Sequence, residues 1–105
     1  MFLRKKLDIG VGLQEFSQFA GRGVLLDVRN PSERKHGYIP GSVNLPLNQL
    51  KSAAKFIPDF ETPVFVYCAN GARAERAVKR LRRAGYKNIK SIGGVEGYRG
   101  ELARD

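Results

Sequence analysis

The only cysteine of the chain stands at the end of an apolar run and directly before a loop that contains glycine. Residues 64–67 (Val-Phe-Val-Tyr) predict a buried strand that ends at Cys68, and a basic helix is predicted to begin at Arg73 after the loop. This order aims backbone N–H groups and the positive end of a helix dipole at the sulfur, which favours the thiolate over the thiol. Since the thiolate is the nucleophilic form, the sequence predicts sulfur chemistry at Cys68.

The segments that must position Cys68 alternate between short apolar runs and helical patterns. Apolar runs predict strands at 24–26, 64–67 and 88–92, and helical spacing predicts helices at 13–20, 47–57, 74–84 and 95–102. Uniformly apolar strands are typical of parallel sheets, so the alternation implies an α/β domain with a mainly parallel sheet. A lone cysteine is most often a small buried hydrophobe, but the carboxyl end of a parallel strand is where ligand sites lie.

Length and composition predict one small domain over residues 1–105. A single cysteine excludes an intramolecular disulfide, and no apolar run approaches the roughly 18 residues that span a bilayer. Arg4, Lys5 and Lys6 could begin a secretory signal, but the residues after them form no apolar segment of the usual length. We therefore expect a cytoplasmic domain with no membrane partner.

The formal net charge of +9 is concentrated between Arg73 and Arg83, where six cations stand against Glu75 alone. Such a run is most simply a solvated helix face, but it would also concentrate small anions near the domain. Nucleic-acid binding is the least favoured interpretation, because the aromatic residues are predicted to lie in the core, where bases could not stack on them. Cysteine and histidine show no metal-ligand spacing, and neither a metal nor another cofactor is expected.

Several stretches resemble, in order and spacing, the signatures of the rhodanese family of sulfurtransferases. They are the loop 68–73 (Cys-Ala-Asn-Gly-Ala-Arg), 26–33 (Leu-Asp-Val-Arg-Asn-Pro-Ser-Glu), 37–46 (Gly-Tyr-Ile-Pro-Gly-Ser-Val-Asn-Leu-Pro), 85–89 and 93–98. Together they cover roughly residues 24–100. The resemblance implies a single rhodanese-like domain with a five-stranded parallel sheet flanked by helices on both faces.

The resemblance also implies a reaction, the transfer of a sulfane sulfur through a persulfide on Cys68. The donor would be a small anion such as thiosulfate, and the acceptor cyanide, a thiol or a protein. The amides of the loop would hold the outer sulfur or the incoming anion; they belong to Ala69, Asn70, Gly71, Ala72 and Arg73. Arg73 would add positive charge, and Gly71 would permit a torsion that a side chain resists.

The same resemblance places Asp27 beside the catalytic loop and pairs Arg29 with an acidic residue such as Glu33. Both are expected to support the structure or to tune the site through their neighbours. His36 lies two residues before the position of the family histidine and is expected at the surface. Ala69 stands where the family often has a polar or basic residue, which predicts weak binding of thiosulfate.

Three other functions are open to this chain. A cysteine phosphatase or arsenate reductase of related fold needs five residues between cysteine and arginine, and here four separate Cys68 from Arg73. A non-catalytic interaction module would have no need of the cysteine. A nucleic-acid binder would form salt-sensitive complexes through the basic helix.

Overall fold

The computed structural model of the protein describes residues 7–105, so the cationic patch predicted at Arg4, Lys5 and Lys6 lies outside the described residues. The α-helices in this range are α1 (Ile9–Ser17), α2 (Pro31–Arg34), α3 (Ala53–Phe56) and α4 (Ala72–Ala84). The strands are β1 (Val24–Asp27), β2 (Ser42–Asn44), β3 (Val64–Cys68) and β4 (Ile89–Gly94). Two 3₁₀ segments cover Leu47–Ser52 and Val95–Gly97. None of the helices within 7–105 combines the length and apolar character that crossing a bilayer requires.

The four strands form one parallel sheet in the order β2-β1-β3-β4. The prediction of five strands is therefore wrong for the described part of the chain. The first element of the described residues is helix α1, which Asp8 caps: its side chain accepts a hydrogen bond from the Gly10 amide at 2.9 Å. The prediction of a parallel α/β sheet is confirmed, and β2 is a strand that the apolar pattern did not reveal.

Both faces of the sheet are covered, because β3 is buried along its whole length and sends alternate side chains into two cores. Val66 and Cys68 face the core that contains α3 and α4, together with Leu26 and Leu81. Phe65 and Tyr67 face the second core, which contains residues of α1. The last residue of β3 thus places the cysteine sulfur on the α4 side of the sheet, at the carboxyl end of the strands.

Helix α4 owes its position to a narrow apolar face. Ala74, Ala77, Val78 and Leu81 are buried against the sheet, whereas the basic residues between them point outward. The helix ends at Ala84 and is capped by Gly85, whose φ of 121° is unfavourable for residues with a side chain. The predicted helix 74–84 and its glycine C-cap are both present, although the helix begins earlier, at Ala72.

Two predicted helices are shorter or less regular than expected. The segment 47–57 is a 3₁₀ segment followed by the single turn α3, with a break at Gln49, whose φ is −119°. In 95–102 only Val95–Gly97 is helical. The chain beyond it runs toward Ala103, which forms an isolated antiparallel bridge with Tyr38, and this pairing requires extended backbone.

Candidate active site

The sulfur of Cys68 is held by two backbone amides. Its Sγ accepts hydrogen bonds from the Gly71 N–H at 3.0 Å and from the Ala74 N–H at 3.3 Å. The cysteine is fully buried, and Ala74 occupies the third position of α4. The positive end of the α4 dipole therefore lies against the sulfur, in an arrangement that suits a thiolate or a bound anion.

Glycines allow the loop to fold this tightly. Gly71 precedes α4 with a φ of 100°, a left-handed conformation that other residues adopt at a cost. A Cβ on Gly94 would lie 2.2 Å from the carbonyl oxygen of Ala69, so the absence of a side chain there lets the loop rest on β4. The Asn70 side chain accepts a hydrogen bond from the Ala72 N–H at 3.1 Å and closes the start of the helix.

The side chain of Arg73, the last residue of the loop, forms an ion pair with Glu33. Its guanidinium donates to both carboxylate oxygens of Glu33, at 2.6 and 2.8 Å. This hydrogen bonding lowers the pKa of Glu33 from 4.5 to about 2 and raises the pKa of Arg73. The expected pairing of Arg29 with Glu33 is therefore wrong, since Glu33 forms its ion pair with Arg73.

Asp27 is the fully buried centre of a polar network at the carboxyl end of β1. Arg29 donates to its two oxygens from Nε at 3.0 Å and from a terminal nitrogen at 2.8 Å. Arg34 donates to Asp27 at 3.1 Å, and the Tyr67 hydroxyl donates to it at the same distance. A buried carboxylate is stable only when it is paired and hydrogen-bonded in this way. The contacts support a structural role for Asp27 and Arg29.

The network also holds Tyr67, the residue immediately before Cys68. Burial raises the pKa of its hydroxyl, and that hydroxyl accepts a hydrogen bond from the Ile39 N–H at 3.1 Å and contacts the Ser42 hydroxyl at 3.0 Å. Arg34 donates to the Ser42 carbonyl at 2.7 Å and stacks on the Tyr38 ring, 3.8 Å from its centroid. The end of β3 is thus tied to β2 and to the turn after α2.

Sequence reasoning missed four residues of this region: Ala74, Arg34, Ser42 and Tyr67. A predicted helix start at Ala72 instead of Arg73 would have revealed Ala74, because the third helical N–H has no partner within the helix. The apolar run predicts a core position for Tyr67, and its ring is indeed buried. No local pattern shows that its hydroxyl contacts a carboxylate from another strand. His36 is exposed, as expected. Among residues 7–105 no group of His, Cys, Asp and Glu side chains could hold a metal ion.

These features define a parallel α/β domain in which backbone amides hold a cysteine sulfur at the carboxyl edge of the sheet. A sequence profile of the rhodanese-like domain matches residues 13–101, and the chain belongs to this family. The resemblance inferred from the motifs is therefore confirmed.

Known proteins similar to this chain include sulfurtransferases. The uncharacterized protein YqhL of Bacillus subtilis is 37% identical over 90 residues, which cover 85% of this chain and 71% of that protein. The thiosulfate sulfurtransferase PspE of Escherichia coli is 32% identical over 72 residues, covering 68% of this chain and 69% of that protein. A solved structure, a rhodanese with anions from E. coli, has a TM-score of 0.74 at 27% identity and covers 79% of this chain and 99% of that chain. These similarities support a sulfurtransferase-like role.

Proposed function

We propose that the protein transfers a sulfane sulfur through a persulfide on Cys68. The observation that carries the proposal is the pair of amides, Gly71 and Ala74, within hydrogen-bonding distance of Sγ. Fixed N–H donors stabilise the negative charge that sulfur carries at each stage of such a reaction. Similarity to a thiosulfate sulfurtransferase and to a rhodanese solved with anions supports the same chemistry.

The first half-reaction is attack of the Cys68 thiolate on the outer sulfur of thiosulfate. A bond forms between the two sulfurs, the sulfur–sulfur bond of thiosulfate breaks, and sulfite leaves with the electron pair. Because Cys68 is fully buried, the donor reaches Sγ only after a local movement exposes the sulfur. The product is a persulfide whose outer sulfur carries the negative charge.

The second half-reaction removes the outer sulfur. Cyanide or a thiolate attacks that sulfur, the Cys68–sulfur bond breaks, and the cysteine leaves as a thiolate held again by the same amides. The products are thiocyanate or the persulfide of the acceptor. Neither half-reaction requires a general base or a cofactor, in agreement with the exposed position of His36.

The size of the loop and the pairing of Arg73 argue against phosphatase chemistry. Four residues separate Cys68 from Arg73, and the Arg73 guanidinium makes two hydrogen bonds to Glu33. A phosphatase arginine must instead present its guanidinium to the oxygens of the substrate. We therefore expect no hydrolysis of p-nitrophenyl phosphate.

Intact-mass measurement tests the proposal. After incubation with thiosulfate, the protein should gain the mass of one sulfur atom, and cyanide should remove it with release of thiocyanate. The Cys68→Ser variant is the matched control and should gain nothing. A protein that stays at its original mass, or a serine variant that gains sulfur, would contradict the proposal.

A further inference from the structure

We propose that an arginine stripe on α4, formed by Arg76, Arg80 and Arg83, docks an acidic protein that accepts sulfur from Cys68. The proposal rests on the proposed function and names the acceptor for the same site. The three positions are separated by four and three residues, so their side chains leave one side of the helix. All three are exposed.

The arginine stripe is not neutralised by the part of the chain that the structure describes. None of its guanidinium groups forms an ion pair with a carboxylate of residues 7–105. At about 1.5 Å of rise per residue, the three groups are spread along roughly 10 Å of helix. A row of carboxylates on a partner would match this alignment of charge.

A groove with an apolar floor runs beside the arginine stripe. It lies between α4 and the 3₁₀ segment Leu47–Ser52, has a volume of about 360 Å³, and includes Leu50 and Leu81 in its lining. Lys51 and Arg80 contribute cations from its two sides. An apolar strip flanked by charge is the usual composition of a protein interface, with aliphatic contacts at its centre and ion pairs at its rim.

The arginine stripe and the groove both lie on elements that reach the edge of the sheet where Cys68 lies. Helix α4 begins at Ala72, directly after the loop that holds Cys68. Leu47, at the other side of the groove, donates its N–H to the Val28 carbonyl just beyond the end of β1. Since β1 and β3 are parallel neighbours, both points lie at the carboxyl edge of the sheet. A partner lying along α4 would therefore bring one end to the loop that covers Cys68.

The lining of the groove favours a protein over a nucleic acid. It contains leucine, alanine, asparagine and basic side chains and no aromatic ring, whereas single-stranded nucleic acids are held by bases stacked on aromatic rings. The acceptor must also supply a thiol. The partner's thiolate attacks the outer sulfur of the Cys68 persulfide, the bond from that sulfur to Sγ breaks, and the Cys68 thiolate leaves.

The experiment separates docking from sulfur transfer. The probe is a fluorescein-labelled synthetic helical peptide of about 15 residues, with one cysteine near its end and glutamates along one face. A second peptide has glutamine at every glutamate. Fluorescence anisotropy measures the Kd of each for the Cys68→Ser protein, which cannot carry a persulfide. We expect the acidic peptide to bind at least tenfold more tightly than its glutamine counterpart.

Charge-matched variants locate the surface. Replacing Arg76, Arg80 and Arg83 with glutamine should weaken binding of the acidic peptide about tenfold or more. The control replaces three exposed cations on other segments, Arg22, Lys35 and Arg104, with glutamine and should change Kd less than about threefold. Circular dichroism is the check that both triple variants fold.

Three outcomes would overturn the proposal. Equal weakening by the two triple variants would mean that only the net charge attracts the peptide. The surface would be a nucleic-acid site if a single-stranded RNA of the same length bound more tightly than the acidic peptide and if the stripe variant no longer bound that RNA. Absence of binding would remove the docking surface altogether. If the peptide binds but the wild-type protein never acquires the persulfide, it is the proposed function that fails.

Discussion

Cys68 accepts hydrogen bonds in the way that the side chain of a helix-capping residue does. The Ala74 amide, third in α4, has no partner within the helix, and Sγ satisfies it at 3.3 Å. The sulfur therefore helps to start the helix whose dipole in turn stabilises its charge. This dual role means that structure and chemistry at Cys68 can be separated only by a substitution that keeps an acceptor.

Cys68→Ser is that substitution. A serine hydroxyl can still accept hydrogen bonds from the two amides, but it stays protonated near neutral pH and forms no stable persulfide. We expect sulfur transfer from thiosulfate to cyanide to fall to background, while the far-ultraviolet circular dichroism stays that of the wild type. Thiocyanate formation is the measurement. A serine variant that still forms thiocyanate would exclude Cys68 as the carrier.

Single residues also show where sequence reasoning stops. The position of Cys68 at the end of a strand, the left-handed backbone of Gly71 and the exposure of His36 could be predicted, because each depends on a local pattern. The partner of Glu33 could not be predicted, since the charges of Arg29 and Arg73 make both of them plausible partners. The fold decides between them: the turn after β1 sends Arg29 to Asp27, which leaves Glu33 to meet α4.

At the scale of elements, the pair formed by Glu33 and Arg73 joins α2 to α4. In the folded state the pKa of Glu33 is lowered from 4.5 to about 2. The stabilisation is therefore complete above pH 4.5 and is lost as the pH falls toward 2. Because about a third of the Glu33 side chain is exposed, we expect Glu33→Gln to cost only about 1–2 kcal/mol of unfolding free energy at pH 7.

Urea unfolding of the wild type and the Glu33→Gln variant at a series of pH values checks this. The difference between them should shrink steadily as the pH falls below 4.5. Glu15→Gln is the control, because its partner Lys90 is half exposed; it should change stability by less than about 0.5 kcal/mol. A Glu33→Gln difference that does not vary with pH would show that the ion pair is not its source.

The contact between the cysteine loop and β4 gives a second prediction at this scale. Gly94 has a φ of −129°, which alanine adopts freely, so any effect of Gly94→Ala is steric. Its new Cβ would lie 2.2 Å from the Ala69 carbonyl oxygen, and backbone must move. We expect a loss of about 2 kcal/mol or more in unfolding free energy. We also expect a lower rate of sulfur transfer, because the Gly71 and Ala74 amides would move away from Sγ.

Gly97→Ala is the matched control for this clash. A Cβ on Gly97 would meet only the Ile9 side chain at 3.8 Å, an ordinary contact. This variant should keep the stability and activity of the wild type within about 0.5 kcal/mol in unfolding free energy. Equal effects of the two alanines would mean that the loop does not rest on Gly94.

The strands β1, β3 and β4 and the helix α4 could be predicted because each depends on a short period in the sequence. Runs such as 64–67 are apolar throughout, and α4 has a clear apolar face. Strand β2 was missed because Ser42, Val43 and Asn44 alternate in burial at a sheet edge and give no apolar run. The segments 47–57 and 95–102 were predicted as helices because periodicity does not record the kink at Gln49 or the pairing of Ala103 with Tyr38.

At the scale of the whole molecule, the charge distribution sets how anions approach the sulfur. The net charge is +9, and the exposed cations of α4 extend away from the site. A field of this kind raises the local concentration of anions over a distance of about 8 Å at physiological ionic strength. It does not replace a cation in contact with the substrate.

The described loop 69–73 offers little contact of this kind, and this leads to a prediction for thiosulfate. The Ala69 side chain has no donor or charge, and the Arg73 guanidinium gives two of its N–H groups to Glu33. A missing charge-assisted hydrogen bond weakens binding by roughly 1.5–3 kcal/mol, or about one to two decades in Kd. We expect measurable transfer from thiosulfate with a high KM that rises further as salt screens the field.

Steady-state kinetics of wild type and Ala69→Arg, with thiocyanate as the product, decide the point. The added guanidinium binds the sulfonate equally in the ground state and the transition state, so it should lower KM by about tenfold with little change in kcat. Ala69→Gln, of similar reach but uncharged, is the control and should lower KM much less. A low-micromolar, salt-insensitive KM in the wild type, or an arginine variant whose KM does not move, would show that another group already holds the sulfonate.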